Sequence, residues 1–312
     1  MNKRGRGPGE YIFMGPLFID DNEEFVEFID FSLNKVLKYS NISFEFIEAE
    51  PFPNLNFNSS RRKDGFYYIA TQQIDNMINE QNTNAGLLVV DDKGNVKTLF
   101  DKNIETRNSY YSINGESFTE NDNGMLFFSL MFDNTFYSLE AGEAYPVFTV
   151  DFGKYGINNA AIGLLSTEKQ MNYIRDINNR AFFPVLDINN SNVMSFSYLF
   201  KQDKTERRGL IGRDDYRLYL NFKANDKVFH VKQIKNDLSN FPDRIFISSS
   251  YFSCAHEAWY EDYLVDIVIP DLYFESPTDK IFVENIGEVS ALDNPIIVLI
   301  KLKKIYQNNN NE

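Results

Sequence analysis

The chain has 312 residues, which is enough to bury a large core in one repeat-built domain or in two ordinary ones. Its net charge of −14, from 45 acidic and 31 basic residues, disfavours nucleic acid and anionic membranes as partners, because such a field repels phosphate groups. The single cysteine excludes an intrachain disulfide and a cysteine-rich zinc site.

Aromatic residues make up 15% of the chain, with 29 Phe and 18 Tyr. Such side chains suit pleated, half-buried surfaces, so the composition favours an all-β protein. No stretch reaches the roughly 18 apolar residues of a membrane span. The first residues also lack the apolar core of a signal peptide.

Alternating apolar and polar runs, joined by polar turns, recur along the chain. Hairpins are predicted at 25–39, 87–100, 135–152 and 217–234, with a last strand at 295–305. Further aromatic strands are predicted at 65–71, 124–132, 193–200 and 244–252. This unit recurs about five times at roughly 50 to 80 residues, which predicts a β-propeller rather than a two-sheet sandwich.

Helices are expected to be few, short and placed between the blades. The stretch 164–178 has helical spacing of apolar residues, and 278–292 is a candidate for a second short helix. We expect residues 1–305 to form a single propeller domain. The polar tail 306–312 is predicted to be disordered.

The opening stretch "RGRGPGEY" (4–11) raises the question of a phosphate or RNA site. A Rossmann or Walker A loop needs a spacing and a following helix that are absent here, because an aromatic strand is predicted next. We therefore interpret Gly5, Gly7, Pro8 and Gly9 as a structural loop, in which glycine permits unusual backbone angles and proline adds stiffness.

The same stretch resembles a signature of the six-bladed β-propeller family of secreted proteins and lipoproteins from Gram-negative gut bacteria, which is related to NHL-repeat propellers. Two further stretches match that pattern, "VDFGKYGI" (150–157) and "DNPIIVLIKLK" (293–303). The resemblance runs from Gly5 to about Lys303. It implies a six-bladed propeller of largely uncharacterised function, located in the periplasm or at the cell surface.

The resemblance also implies a first blade and a signal peptide before the glycine-rich stretch, whereas Met1 almost directly precedes it here. Five blades are visible, and the sixth is partial or missing at the N-terminus. We expect the natural start to lie upstream, because a missing blade leaves a sheet edge open. The alternative is a shortened member whose ring closes differently.

The stretch "YFSCAHEAWYEDY" (251–263) is the densest candidate for a binding site. An exposed tryptophan beside carboxylates is a plausible sugar platform, and the alternative is that the tryptophan packs on a neighbouring blade. A Cys254–His256 nucleophile pair is rejected, because alternate strand residues lie about 7 Å apart. The candidate binding residues are His256, Glu257, Trp259, Glu261 and Asp262.

The sequence predicts no catalytic residues and implies no cofactor. Acidic pairs at 20–21, 91–92 and 214–215 adjoin turns, where aspartate caps the local backbone, although Ca²⁺ stays open as an ion of a propeller channel. We expect a non-enzymatic extracytoplasmic binding or scaffold propeller that engages a glycan, peptide or protein partner. The alternative is a metal-dependent, lactonase-like hydrolase or lyase that uses acidic channel residues.

Overall fold

The structure is a computed structural model that describes most of the chain with internal gaps. The described residues are 4–20, 24–57, 59–71, 75–100, 118–121, 123–130, 133–158, 162, 165, 167–201, 216–223, 227–231, 259–260, 263–268, 270, 276, 278–283, 286–294 and 296–301.

The described part is almost entirely β, as the aromatic composition predicts. Its strands are β1 (Leu17–Ile19), β2 (Phe25–Asp30), β3 (Lys35–Ser40), β4 (Phe46–Pro51), β5 (Ser59–Lys63), β6 (Phe66–Ala70), β7 (Asn76–Ile78), β8 (Gln81–Thr83), β9 (Leu87–Val90), β10 (Val96–Leu99), β11 (Phe118–Glu120), β12 (Leu126–Ser129), β13 (Thr135–Glu140), β14 (Glu143–Thr149), β15 (Arg180–Asn189), β16 (Val193–Lys201), β17 (Tyr216–Phe222), β18 (Lys227–Val231), β19 (Trp259–Tyr260), β20 (Tyr263–Val268), β21 (Lys280–Val283), β22 (Gly287–Ser290) and β23 (Ile296–Lys301).

The chain divides into two compact units, one of Met1–Ser112, Leu126–Thr149 and Asn158–Asn172, the other of Ile113–Met125, Val150–Ile157 and Tyr173–Glu312. The first unit contains a first sheet, β1-β2-β3-β4, a second sheet, β10-β9-β6-β5, the hairpin β7-β8, and antiparallel β12, β13 and β14. The single domain over 1–305 stays a prediction.

In the second unit, β15-β16-β17-β18 form a four-stranded antiparallel sheet. We call it the fourth sheet, because in chain order it follows the first sheet, the second sheet and the sheet that contains β12, β13 and β14. A three-stranded sheet follows in the order β19-β20-β23, and β21 pairs with β22. The pattern of small antiparallel sheets is confirmed. The closed six-bladed ring stays a prediction.

The predicted hairpins are confirmed by the antiparallel pairing of their strands. Between β9 and β10, Asp91 Oδ1 accepts hydrogen bonds from the backbone N–H groups of Lys93 and Asn95, at 2.9 and 2.8 Å. Gly94 has φ of +77°, the conformation that favours glycine. Asp91 therefore caps its turn, which is the role that the sequence predicts for this pair.

One predicted helix is confirmed and the other is wrong. The helix α1 spans Thr167–Asp176, and Gly153–Tyr155 form one turn of 3₁₀-helix. Within 278–292, however, the strands β21 and β22 form a hairpin. Gly287, with φ of +103°, makes the tight turn between these short alternating strands. The predicted strand 244–252 and tail 306–312 lie outside the described residues.

The core of the first unit lies between the first and second sheets. Buried side chains of both sheets and of the connections beside them form it: Phe18, Ile29, Val36, Phe52, Leu55, Tyr67, Ile69, Ala85, Leu88 and Val90. Alternation along each strand turns these residues to one face, and the first sheet keeps a second apolar face with Phe28, Leu37 and Tyr39.

One carboxylate is buried in this core. Glu27 on β2 is 2% exposed, and it accepts a hydrogen bond from the Tyr67 hydroxyl at 2.8 Å. Its carboxylate also lies 3.0 Å from Arg62 Nε and 3.6 Å from Lys38 Nζ. Burial and the neighbouring Glu27 raise the pKa of Tyr67, so that its hydroxyl stays a donor. The charge of Glu27 is thus balanced by two cations, although its side chain is buried.

Candidate functional site

The candidate binding stretch lies largely outside the described residues. His256, Glu257, Glu261 and Asp262 are in this group, so their role stays a prediction. Trp259 begins β19, and its backbone pairs with that of Leu264.

The glycine-rich opening segment (residues 4–12) lies against one face of the first sheet. The ammonium of Lys35 donates a hydrogen bond to the carbonyl oxygen of Glu10 at 2.8 Å. The hydroxyl of Tyr39 donates to the carbonyl oxygen of Gly9 at 2.9 Å. Side chains of β3 therefore bind the backbone of this segment directly.

Gly9 of this segment is needed for space, and none of its three glycines is needed for an unusual backbone angle. None of Gly5, Gly7 and Gly9, all of which are described, has φ in the left-handed region. A Cβ on Gly9 would lie 2.7 Å from the ring of Phe46. Pro8 directly precedes Gly9 in the chain. Our expectation about backbone angles was wrong, and close packing is the physical reason for glycine here.

The segment 150–157, which shares the family pattern, lies in the same way against its own sheet. In the first unit, the ring of Tyr11 meets Phe28 edge-on at 5.4 Å between centroids. In the second unit, Tyr155 meets Phe200 edge-on at 5.7 Å. We call both stretches covering segments. Each covers part of one face of the sheet that follows it in the chain, and in the fourth sheet this face is the side of β16 that carries Tyr198 and Phe200.

Strand β17 has two chemically distinct sides. Cross-strand pairing places Tyr219 between Phe196 and His230, and Arg217 beside Tyr198. Because side chains alternate along a strand, Arg217, Tyr219 and Asn221 share that side. The opposite side carries Leu218, Leu220 and Phe222.

Four rings form what we call the aromatic face: Phe196, Tyr198, Tyr219 and His230. The rings of Phe196 and Tyr219 stack at 4.5 Å, and Tyr219 lies 5.4 Å from His230. Tyr198 contacts His230 Nδ1 through its hydroxyl at 3.1 Å, and burial raises the pKa of this tyrosine. Phe196 and Tyr198 are buried, Tyr219 is half-buried and His230 is exposed, so the face opens to solvent at its outer strand.

Amide and ammonium groups adjoin the aromatic face at one end. Lys223 Nζ donates to Asn189 Oδ1 at 2.9 Å and also to the carbonyl oxygen of Asn190. Asn189 pairs with Met194 and Met194 with Asn221, so Asn189 and Asn221 belong to the same side of the sheet as the rings. The arrangement places aromatic rings, amides and a held cation next to one another, which suits a ligand with both polar and apolar groups.

Asp187 lies in β15, where the pairing with β16 is irregular. Ser197 donates a hydrogen bond to Asp187 Oδ1 at 3.1 Å, whereas Oδ2 is buried without a hydrogen-bond partner. Burial raises the pKa of Asp187 to about 7, and the bond from Ser197 opposes that shift. The carboxyl group therefore changes charge near neutral pH.

Asp187→Asn is expected to raise the free energy of unfolding at pH 8 by on the order of 2 kcal/mol. The folded protein binds the Asp187 proton more tightly than the unfolded chain does, so the wild type loses stability as the pH rises through about 7. The variant should lack this loss in urea titrations at pH 5 and pH 8. Ser197→Ala should have the opposite effect to Asp187→Asn, because it removes the hydrogen bond that favours the charged form of Asp187. Equal pH dependence in Asp187→Asn and wild type would contradict this account.

Neither a metal centre nor a membrane helix is found where the structure describes the chain. Among the described residues, no three His, Cys, Asp or Glu side chains come close enough to hold a metal ion. No described helix has the length and apolar character of a membrane span.

The aromatic face was missed at the level of sequence. The run "RLYLNFK" (217–223) predicts a hairpin strand, and its alternation of Arg217, Tyr219, Asn221 and Lys223 against apolar residues was a readable signal. The partners Phe196 and Tyr198, however, meet this strand only through sheet pairing. His230 on the outer strand β18 is exposed.

Three solved structures that resemble this chain come from bacteria. A presumed exported protein of Bacteroides fragilis NCTC 9343 is similar at 16% identity and a TM-score of 0.58, over 86% of this chain and 70% of that one. A DUF4221 family member from Bacteroides vulgatus ATCC 8482 has 12% identity and a TM-score of 0.46, over 79% and 72%. A virginiamycin B lyase from Staphylococcus aureus has 13% identity and a TM-score of 0.31, over 72% and 71%.

At 16% identity the first similarity shows a common fold alone, and the TM-scores of the other two are too low to support an argument. No curated protein matches the sequence. Residues 1–301 match the family described as "Domain of unknown function (DUF4934)". The chain therefore belongs to the DUF4934 family.

Proposed function

We propose that this protein is a non-enzymatic, extracytoplasmic binding module that engages a glycan, peptide or protein partner through the aromatic face of the fourth sheet. The observation that carries the proposal is the half-buried Tyr219, which stacks on Phe196 and lies beside the exposed His230. Since His230 Nδ1 contacts Tyr198, Nε2 is the ring nitrogen that a ligand can reach.

The proposal includes a six-bladed β-propeller as the architecture. The succession of small antiparallel sheets supports it, since radial repetition of such sheets leaves only short edges. The similarity of fold to a presumed exported protein supports an extracytoplasmic location. The alternative function is that of a metal-dependent hydrolase or lyase. Added Ca²⁺ would raise the melting temperature only if the folded protein binds that ion.

Tyr219→Ala is expected to weaken ligand binding by at least about tenfold, because an aromatic ring at the centre of an interface carries much of its binding energy. The measurement is calorimetry with the full chain, on oligosaccharides and peptides first selected by array screening. Tyr145→Ala is the control, since Tyr145 is a half-exposed tyrosine on β14. Wild-type affinity in Tyr219→Ala, with an unchanged melting temperature, would contradict the proposal.

The same oligosaccharides and peptides test the stretch 251–263. Trp259→Ala should bind like the wild type if the aromatic face is the site. Loss of binding in Trp259→Ala at an unchanged melting temperature, together with normal binding by Tyr219→Ala, would move the site to Trp259 and its neighbours.

A further inference from the structure

The first sheet ends in an open, exposed strand. We use the name outer edge for residues 41–51, which comprise the loop after β3 and the strand β4. In the order β1-β2-β3-β4, β4 is the last strand, and no strand among the described residues pairs with its free side. All six residues of β4 are exposed. A strand in this position offers backbone N–H and C=O groups to a further strand.

The outer edge also concentrates apolar surface. Four apolar side chains are exposed within six residues of chain: Ile42, Phe44, Phe46 and Ile47. Ile42 is 91% exposed and Phe44 is 50% exposed. Hydrogen bonds fix the loop that presents them, because Ser40 Oγ accepts from the N–H group of Ile42 at 3.3 Å and the N–H group of Phe44 donates to the carbonyl oxygen of Ser40 at 2.9 Å. Such a group of exposed apolar side chains is typical of an interaction surface.

The same edge is acidic. The stretch 41–57 contains Glu45, Glu48 and Glu50 and no basic residue. Lys38 on β3 forms an ion pair with Glu48, whereas Glu50 lies opposite Val36. Because side chains alternate along a strand, Glu48 and Glu50 lie on the same side of β4. The outer edge therefore keeps a negative charge beside its apolar residues.

This charge decides which occupant fits the edge. A second copy that paired through its own β4 would bring like charges together with Glu48 and Glu50, which is unfavourable across a pair of strands. An anionic membrane is repelled by the same carboxylates and by the net charge of −14. Carboxylates that oppose self-pairing of an edge strand attract a basic strand, so they select between partners.

We propose that the outer edge is a second interaction surface, which binds an extended, basic segment of a partner protein as a further strand beside β4. Backbone hydrogen bonds to β4 give the affinity, and alternate side chains of the segment give the specificity. Lysine or arginine side chains at alternate positions lie opposite Glu48 and Glu50, and apolar side chains of the segment pack on Phe44 and Ile42. The surface belongs to the first sheet, so the inference does not depend on the aromatic face.

The test uses the full chain and dye-labelled octapeptides, with binding followed by fluorescence anisotropy. An octapeptide of alternating lysine and valine extends over about 26 Å, which is long enough to pair along all of β4. It should bind at least about tenfold more tightly than an octapeptide of alternating lysine and proline, which has the same charge but lacks half of the backbone N–H groups. An octapeptide of alternating glutamate and valine should not bind.

Variants of the outer edge test the roles of charge and apolar surface. Glu50→Lys should weaken binding of the lysine–valine peptide by about tenfold, because it replaces an opposite charge with a like charge. Glu143→Lys is its control, since Glu143 begins β14, the last strand of another sheet. Ile42→Ser should weaken binding by about threefold at an unchanged melting temperature. Met77→Ser is its control, because Met77 is an exposed apolar residue on β7.

Four outcomes would overturn the inference. Equal binding of the lysine–valine and lysine–proline peptides would show that charge alone attracts them. No binding of the lysine–valine peptide, or unchanged binding in Glu50→Lys, would show that this edge does not take a basic strand. A dimer in sedimentation velocity that Ile42→Ser abolishes would assign the edge to a second copy of the chain. Tyr219→Ala should bind the lysine–valine peptide like the wild type, so this inference and the proposed function fail separately.

Discussion

Glu27→Ala is expected to lower the free energy of unfolding by about 3 to 5 kcal/mol. The substitution removes the carboxylate that accepts from Tyr67 and lies within 4 Å of both Arg62 and Lys38. Tyr67 would then lose its hydrogen-bond acceptor and Arg62 its counter-charge, whereas Lys38 would keep its ion pair with Glu48. Equilibrium unfolding in urea, followed by tyrosine fluorescence and circular dichroism, measures the loss.

Glu48→Ala is the matched control for Glu27. Its carboxylate lies 2.9 Å from the same Lys38 Nζ, but its side chain is 49% exposed. Exposed ion pairs contribute little, so this change should cost less than about 1 kcal/mol. Similar losses in the two variants would contradict the view that burial makes the Glu27 network important.

Gly15→Ala is expected to lower the free energy of unfolding by about 2 to 3 kcal/mol. The N–H of Gly15 donates to the carbonyl oxygen of Ile29 at 3.0 Å. A Cβ on Gly15 would press against that oxygen and lie 2.6 Å from the ring of Phe31. The backbone oxygen cannot move without disturbing β2, so the chain around Gly15 must move away from the sheet.

Gly7→Ala is the control for Gly15, because it lies in the covering segment that directly precedes Gly15. There the nearest atoms to an added Cβ, at 3.0 Å, belong to the end of the flexible Glu10 side chain. This variant should lose less than about 1 kcal/mol in the same thermal and urea unfolding experiments. If Gly7→Ala is the more damaging of the two, tight backbone approach is not what requires glycine in this segment.

Local signals in the sequence predict the hairpins well. The turn after β9 combines an aspartate that caps backbone N–H groups with Gly94 at positive φ, and both features act within five residues. The short pair β21 and β22 was mistaken for a helix because four-residue strands offer too few positions to separate a period of two from a period of 3.6.

Features that join distant parts of the chain were not predictable in this way. The hydrogen bond from Tyr67 to Glu27 spans 40 residues, and that from Tyr198 to His230 spans 32. The sequence separation of neither pair indicates a contact, because sheet pairing and sheet packing decide which side chains meet. The requirement for glycine at Gly9 was likewise hidden, since the obstructing ring comes from Phe46.

The covering segments bear on how this architecture can be cut and recombined. A graft that started at β1 or β15 would take a sheet away from the aromatic and backbone groups that shield it, and would expose an apolar surface to aggregation. A graft that started at residue 4 or 150 would include the covering segment together with its sheet. The transplantable module of this fold is therefore a loop with the sheet that follows it, and chimeras should be joined ahead of the loop.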